Sequence, residues 1–527
     1  MCLAASAAFV AFGPPQPASL GRISFPTSGA AAAQPAFIRG VLLLHSFEYD
    51  DAIEAFRDAE RIDPQFAMAY WGEAMSFKQP LWFNEDVEKA RDALRRLDAA
   101  VRARAITPRE HGYIEAIRTL FADDDNAARD RAYADRMGEL SRAHPQDDEA
   151  AAFYALALLA TIRPGQPKPD VSLKAGAIAA AILVRNPQHP GAAHYALHAY
   201  GDGEHAAMGL NAARIYARIA PASSHARHMP SHVFVPLGMW NEAAASDESA
   251  FAASVEWVAR HHASVAQEDF HSLSWLQYEY LQQGRFAKAA ELMAPVQQAL
   301  TAPAVTGPHP HVESEISRGF AAPALTSELA SMRARLVVES GRWTDMRGGT
   351  RFDNVDELFA LGIASAKLGD RPRADAVLDH LGKARDAAPD TDTRQLAEIM
   401  QLEVAGMVAN GAGDRDAALP LLERATELEA ARPKPNARAY PIKPAVELYA
   451  EALLEADNPQ AAVRAFRASL SRTPRRAASL IGLASAAAAA GMPDAAERAA
   501  REFLEMWKRA DPDRPEIARA RAIVTRR

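Results

Sequence analysis

Two pairs of histidines in this chain share an internal spacing of four residues and repeat at a fixed interval. His194 and His198 lie in HPGAAHYALHAY, and adding 34 to each number gives His228 and His232 in SSHARHMPSHVF. Histidines at i and i+4 of a helix project from one face, close enough to hold one ion, and pairs on neighbouring helices can complete a site of three or four nitrogens. Neutral imidazole suits copper, zinc, iron or nickel. Of the 16 histidines, ten lie between His189 and His271. Glu204, Glu268 and Asp269 are close enough in sequence to serve as an oxygen ligand, or as the acceptor that orients a ring N–H. Cys2 is the only cysteine, so a thiolate cluster and an intrachain disulfide are both excluded.

The elements that must position these rings are helical and repetitive. Ala52, Phe56 and Pro64 follow the pattern A-x3-F-x7-P, and Ala462, Phe466 and Pro474 reproduce it near the other end. The small residue lets two helices approach, the Phe fills the space between them, and the Pro ends the second helix. Twelve residues before each Ala stand Gly40 and Ala450, and one period of 34 further on stand Ala74 and Ala484. Gly238, Gly284, Gly369 and Gly491, each followed five residues later by Ala243, Ala289, Ala374 or Ala496, mark turns between paired helices. The chain resembles the tetratricopeptide repeat (TPR) family over most of residues 36–510, with fainter motifs at 80–185 and 295–350. Two strings, FIRGVLLLHSFEYDDAIEAFRDAERIDPQFAMAYWGEAM and HPGAAHYALHAY with HMPSH, further resemble a bacterial group of such proteins. The fold expected from the resemblance is an all-α solenoid, a right-handed superhelix of helix pairs.

In that family the second, fifth, ninth, twelfth and thirteenth positions of each first helix face the concave groove. The resemblance then places His225, His228 and His232 at positions two, five and nine of the unit that turns at Gly238. It places His194 and His198 at five and nine of the preceding unit, His271 at two of the following one, and His45 at thirteen of the first. All seven, His45, His194, His198, His225, His228, His232 and His271, are candidate metal ligands in the groove. Pro230 and Pro236 interrupt this register, so the helix either starts at Pro230 or is kinked there. His189, His205, His261 and His262 fall at turns or on second helices and read as structural. His309 and His311 sit in a Pro-rich loop.

Residues 1–35 are apolar, then Pro-, Gly- and Ser-rich, with Arg22 as the first charge after the terminus. They read as the back of a secretory signal peptide or as a poorly ordered tail, consistent with a periplasmic or exported protein in the first case and a cytoplasmic one in the second. An N-terminal array is expected at 36–300, a Pro-rich linker at 301–315 and a C-terminal array at 316–527, with a further break at 431–444. A net charge of −8 with interspersed signs argues against nucleic acid as partner, and no apolar run reaches the roughly 20 residues of a spanning helix. No Ser-His-Asp context, phosphate loop or dinucleotide fingerprint is present. Two functional readings remain open: a groove that binds a peptide, protein or small molecule without metal, and one that carries a His-bound ion, with or without catalysis. On the metal-free reading the histidine pairs are hydrogen-bonded or packed, and were copied with the repeat.

Overall fold

A computed structural model describes residues 20–163, 165–302, 322–347, 354–435 and 441–525. Helices dominate, and the strands among these residues are the two-residue pair Lys78–Gln79 and Asn84–Glu85. Successive helices pack against their sequence neighbours from Gln34–His45 and Tyr49–Ile62 at the start to Ala477–Ala489 and Pro493–Met506 at the end. The protein is an all-α solenoid of TPR-like helix pairs. The pairing continues through Val87–Ala103, Pro108–Leu120, Asn126–Ala143, Asp148–Ala160 and Pro169–Arg185, where the sequence motif is faint.

The turns form where glycine permits them. Gly238, Gly284, Gly369 and Gly491 all have φ of 65–70°, in the left-handed region that costs glycine least. Gly238 is also wedged against the C-terminal repeats, since a Cβ there would lie 2.3 Å from the carbonyl oxygen of Pro474. The inter-helix packing follows the small–Phe logic. Phe56 is fully buried, and a Cβ on Gly40 or Gly72 would come within 2.6 or 2.2 Å of its ring. Phe466 fills the same role over Gly482, at 2.3 Å. Gly72→Ala is therefore expected to destabilise the fold by about 1–3 kcal/mol in chemical denaturation, since Phe56 has no free space to retreat into. A change within error would show that the helices can separate freely there.

The expectation that residues 1–35 are poorly ordered fails from residue 20 onward, while 1–19 lie outside the described residues. Phe25 is buried and packs on Phe37, Trp71 and Tyr113 with ring centroids 5.3, 5.7 and 4.9 Å away. The Arg22 amide donates to the Gln188 carbonyl, and Ser28 to Glu110. Apolar side chains and backbone pairing thus seat a segment that composition alone presents as a tail. The stretch expected as a linker at 301–315, with His309 and His311, lies outside the described residues from 303 onward.

The two expected arrays touch. Trp240 donates to the Arg475 carbonyl and Trp507 to that of Gln282, both at 2.9 Å. Arg476, fully buried, reaches Tyr278, Glu339 and Glu447 at 3.2, 2.6 and 2.9 Å. The C-terminal repeats thereby brace the units that carry the histidines.

Candidate metal centre

Helix Pro190–Tyr200 presents His194 and His198 one turn apart. The next first helix is broken by its prolines, as one of the two sequence readings required: Ser224–His228 carries His225 and His228, Pro230 starts a second short segment, Ser231–Phe234, and His232 lies on that. Helix Phe270–Gln282 then brings in His271. Across the break His228 and His232 still meet, while His225 and His228, on one short helix, join different groups.

The six rings form two triads. His194, His198 and His225 place ligand nitrogens within 4.8 Å of one another, as do His228, His232 and His271. In the first, His194 Nε2 lies 2.9 Å from His225 Nε2 and 3.0 Å from His198 Nε2. In the second, His228 Nε2 and His232 Nε2 are 3.0 Å apart. Nitrogens at this separation subtend roughly 90° at an ion about 2.0–2.1 Å from each, so either triad could cap one face of a metal. His194 and His198 thus meet at one point, and His232 and His271 at another. Each triad combines positions five and nine of one unit with position two of the next.

The rings deepest in each triad are held by their other nitrogen. His194 Nδ1–H donates to the His45 carbonyl at 2.7 Å, which leaves the Nε2 lone pair for the site. His228 Nδ1 lies 2.6 Å from Asp247 Oδ1. Asp247 faces Glu279, and burial pushes both carboxyls well above the usual range. With Nδ1 engaged by the Asp247 carboxyl, His228 turns Nε2 toward His232. Burial drives the imidazoles of His194, His198, His225, His228 and His232 down; repulsion from neighbouring histidines adds to it at all of these but His228, where Asp269 and Glu279 oppose it, and His198 is held at about 3. Neutral imidazole is the form a metal requires.

One aromatic side chain backs each triad. The Phe47 ring lies 4.2, 5.8 and 5.7 Å from those of His194, His198 and His225. Trp275 lies 5.0, 4.7 and 5.1 Å from His228, His232 and His271. Phe47 holds φ at 60°, a conformation that costs a non-glycine residue about 1–2 kcal/mol. On the open side lies a cavity of about 450 Å³, lined by His198, His225, His228, His232 and His271 together with Trp82, Trp257, Arg39 and Arg260.

His45 does not join the six. Its ring is fully buried and turns away to Glu149 and Tyr195, at 2.7 and 2.8 Å, and a Cβ on Gly191 would collide with it at 2.3 Å. With His189 it forms a third group around Glu149. The Ala192 amide donates to His189 Nδ1 at 3.1 Å, leaving Nε2–H to face the other Glu149 oxygen at 3.2 Å. Against the effect of burial, the histidines on either side hold the Glu149 carboxylate down at about 2. Position thirteen of the first unit points inward because the first helix packs directly on Pro190–Tyr200.

The remaining histidines and acids take other places. His205 pairs with Asp202 at 2.7 Å, His261 stacks on Trp257 at 4.1 Å, and His262 ends its helix with φ at 51°. Glu204 is exposed, and Asp269 caps its helix by accepting from the Ser272 amide. Neither these two nor Glu268 belongs to a triad. Asp247 is the residue of this candidate site that the sequence reading missed. It sits on the buried stripe Trp240, Ala243, Ala244, Asp247, Ala250 of a second helix, and a carboxylate on such a stripe is the signal that could have found it. Asp247→Asn is expected to weaken metal binding at the second triad by about 10–100-fold and leave the first nearly unchanged, read as two separated phases in a chelator-competition titration. A uniform change at both would remove Asp247 from this role.

No family model and no curated protein matches the chain. Among solved structures, the APC/C hetero-tetramer Cut9–Hcn1 matches at 13% identity over 94% of this chain and 76% of that chain, with a TM-score of 0.29. The human IFIT1 dimer with m7Gppp-AAAA matches at 12% identity over 92% and 91%, with a TM-score of 0.31. The P58(IPK) TPR domain matches at 12% identity over 88% and 99%, with a TM-score of 0.21. At such scores they add nothing to the fold assignment, which rests on the helix pairs and turns described above.

Proposed function

We propose that this chain is a helical-repeat scaffold whose groove carries a histidine-coordinated transition-metal centre. The observation that carries the reading is the approach of Nε2 atoms from different repeats, with His194 and His228 each pinned through Nδ1 so that the lone pair faces its neighbours. Three nitrogens per triad leave coordination positions open, as metal sites that bind or transform a ligand require. The donor set is nitrogen alone, which suits copper, zinc or iron and disfavours magnesium and calcium. The cavity of about 450 Å³ is the size of a small-molecule site, which favours a small ligand over a folded partner.

A second reading, a metal-free binding groove, draws on the same contacts. One proton on His198 or His225 Nε2 would turn a close nitrogen pair into a hydrogen bond to His194. Metal analysis of protein purified without a His tag separates the two: a stoichiometric transition metal is the expected result, and metal-free protein that also fails to take up added copper, zinc or iron would refute the metal centre.

A further inference from the structure

We propose that the two triads act together as a dinuclear copper centre whose open positions share one cavity and take a small bridging anion. This rests on the metal-binding reading and goes beyond it in number, metal and ligand. Positions five and nine of one first helix and position two of the next recur one repeat later with the same residue type, so a three-nitrogen site is encoded twice in tandem. The short helix Ser224–His228 joins the copies: His225 serves the first triad and His228, one turn on, the second. Across the gap, the His198 and His232 rings lie 6.3 Å apart.

Phe47 and Trp275 close the backs of the triads, and both triads open on the same cavity. All six donors are imidazole nitrogens, so two ions would bring positive charge that no carboxylate within the triads cancels; Asp247 stands behind His228, and Glu48, Asp51, Glu54 and Asp269 line other parts of the cavity wall. A buried charge of that kind calls for an anion, and two open positions on one cavity place it as a bridge. Copper heads the affinity order of the divalent first-row ions for nitrogen ligands.

The test uses the full chain stripped with chelator and loaded with Cu(II), with sodium azide as the bridging probe. Two copper ions per chain are expected, with one azide binding per two coppers and a spin count falling well below two as the bridged ions couple. His225→Gln and His271→Gln should each hold one copper with its full spin signal. One copper per chain in the unsubstituted protein would overturn the dinuclear centre and leave the metal reading standing, as would two coppers whose spins stay fully uncoupled in azide. No copper at all would remove both. Circular dichroism checks the variants, and if either fails to fold, the stoichiometry and spin count of the unsubstituted chain decide.

Discussion

Replacing His198 by Gln is expected to flatten the pH dependence of stability of the metal-free protein between pH 6.5 and about 3. His198 is held near 3 in the folded chain, mainly by burial and further by the charge of His228. In the unfolded chain it titrates near 6.5. The unfolded state therefore takes up a proton first as the pH falls. The contribution of this neutral ring is complete above about 6.5 and is lost on acidification at about 1.4 kcal/mol per pH unit, summing to roughly 5 kcal/mol by pH 3. Denaturant titrations of both proteins across this range give the difference in slope. Parallel profiles would mean that the ring protonates freely in the folded state and is not enclosed by the triad. The measurement is a difference because Asp247 and Glu279, with raised values, act in the opposite sense and are common to both proteins.

The second large effect is stabilisation by metal. An ion bound only to the folded state at a hundred times its dissociation constant adds about 2.7 kcal/mol per site, or about 5 kcal/mol for two independent sites. His198→Ala with His232→Ala removes one ligand from each triad. Both rings line the cavity and are only partly buried, so the metal-free variant should melt close to the unsubstituted protein while losing the metal-dependent gain. Equal destabilisation with and without metal would make these histidines packing residues.

The repeat architecture was legible because its rules are local. The turn glycines adopt left-handed φ as their spacing implied, and Phe56 and Phe466 fill the spaces left by small residues. Six of the seven groove histidines come together because the register that repeats in sequence repeats in space. Beside Asp247, three features escaped the reading. His45 turned inward because a contact between the first and a later repeat is set by superhelix geometry, which no 34-residue window contains. The division into two triads falls within the short helix Ser224–His228, whose His225 joins one group and His228 the other, a split that the groove register alone does not contain. The order of residues 20–33 comes from long-range pairing with Gln188 and Glu110, invisible in a Pro- and Gly-rich composition.

The central claim is that these histidines are ligands, and anomalous diffraction from metal-loaded crystals tests it most directly. The account predicts density at each triad, about 2.0–2.1 Å from three histidine nitrogens: His194, His198 and His225 in one, His228, His232 and His271 in the other. Anomalous peaks confined to surface histidines such as His205 or His380, with the six groove rings hydrogen-bonded to one another, would contradict it.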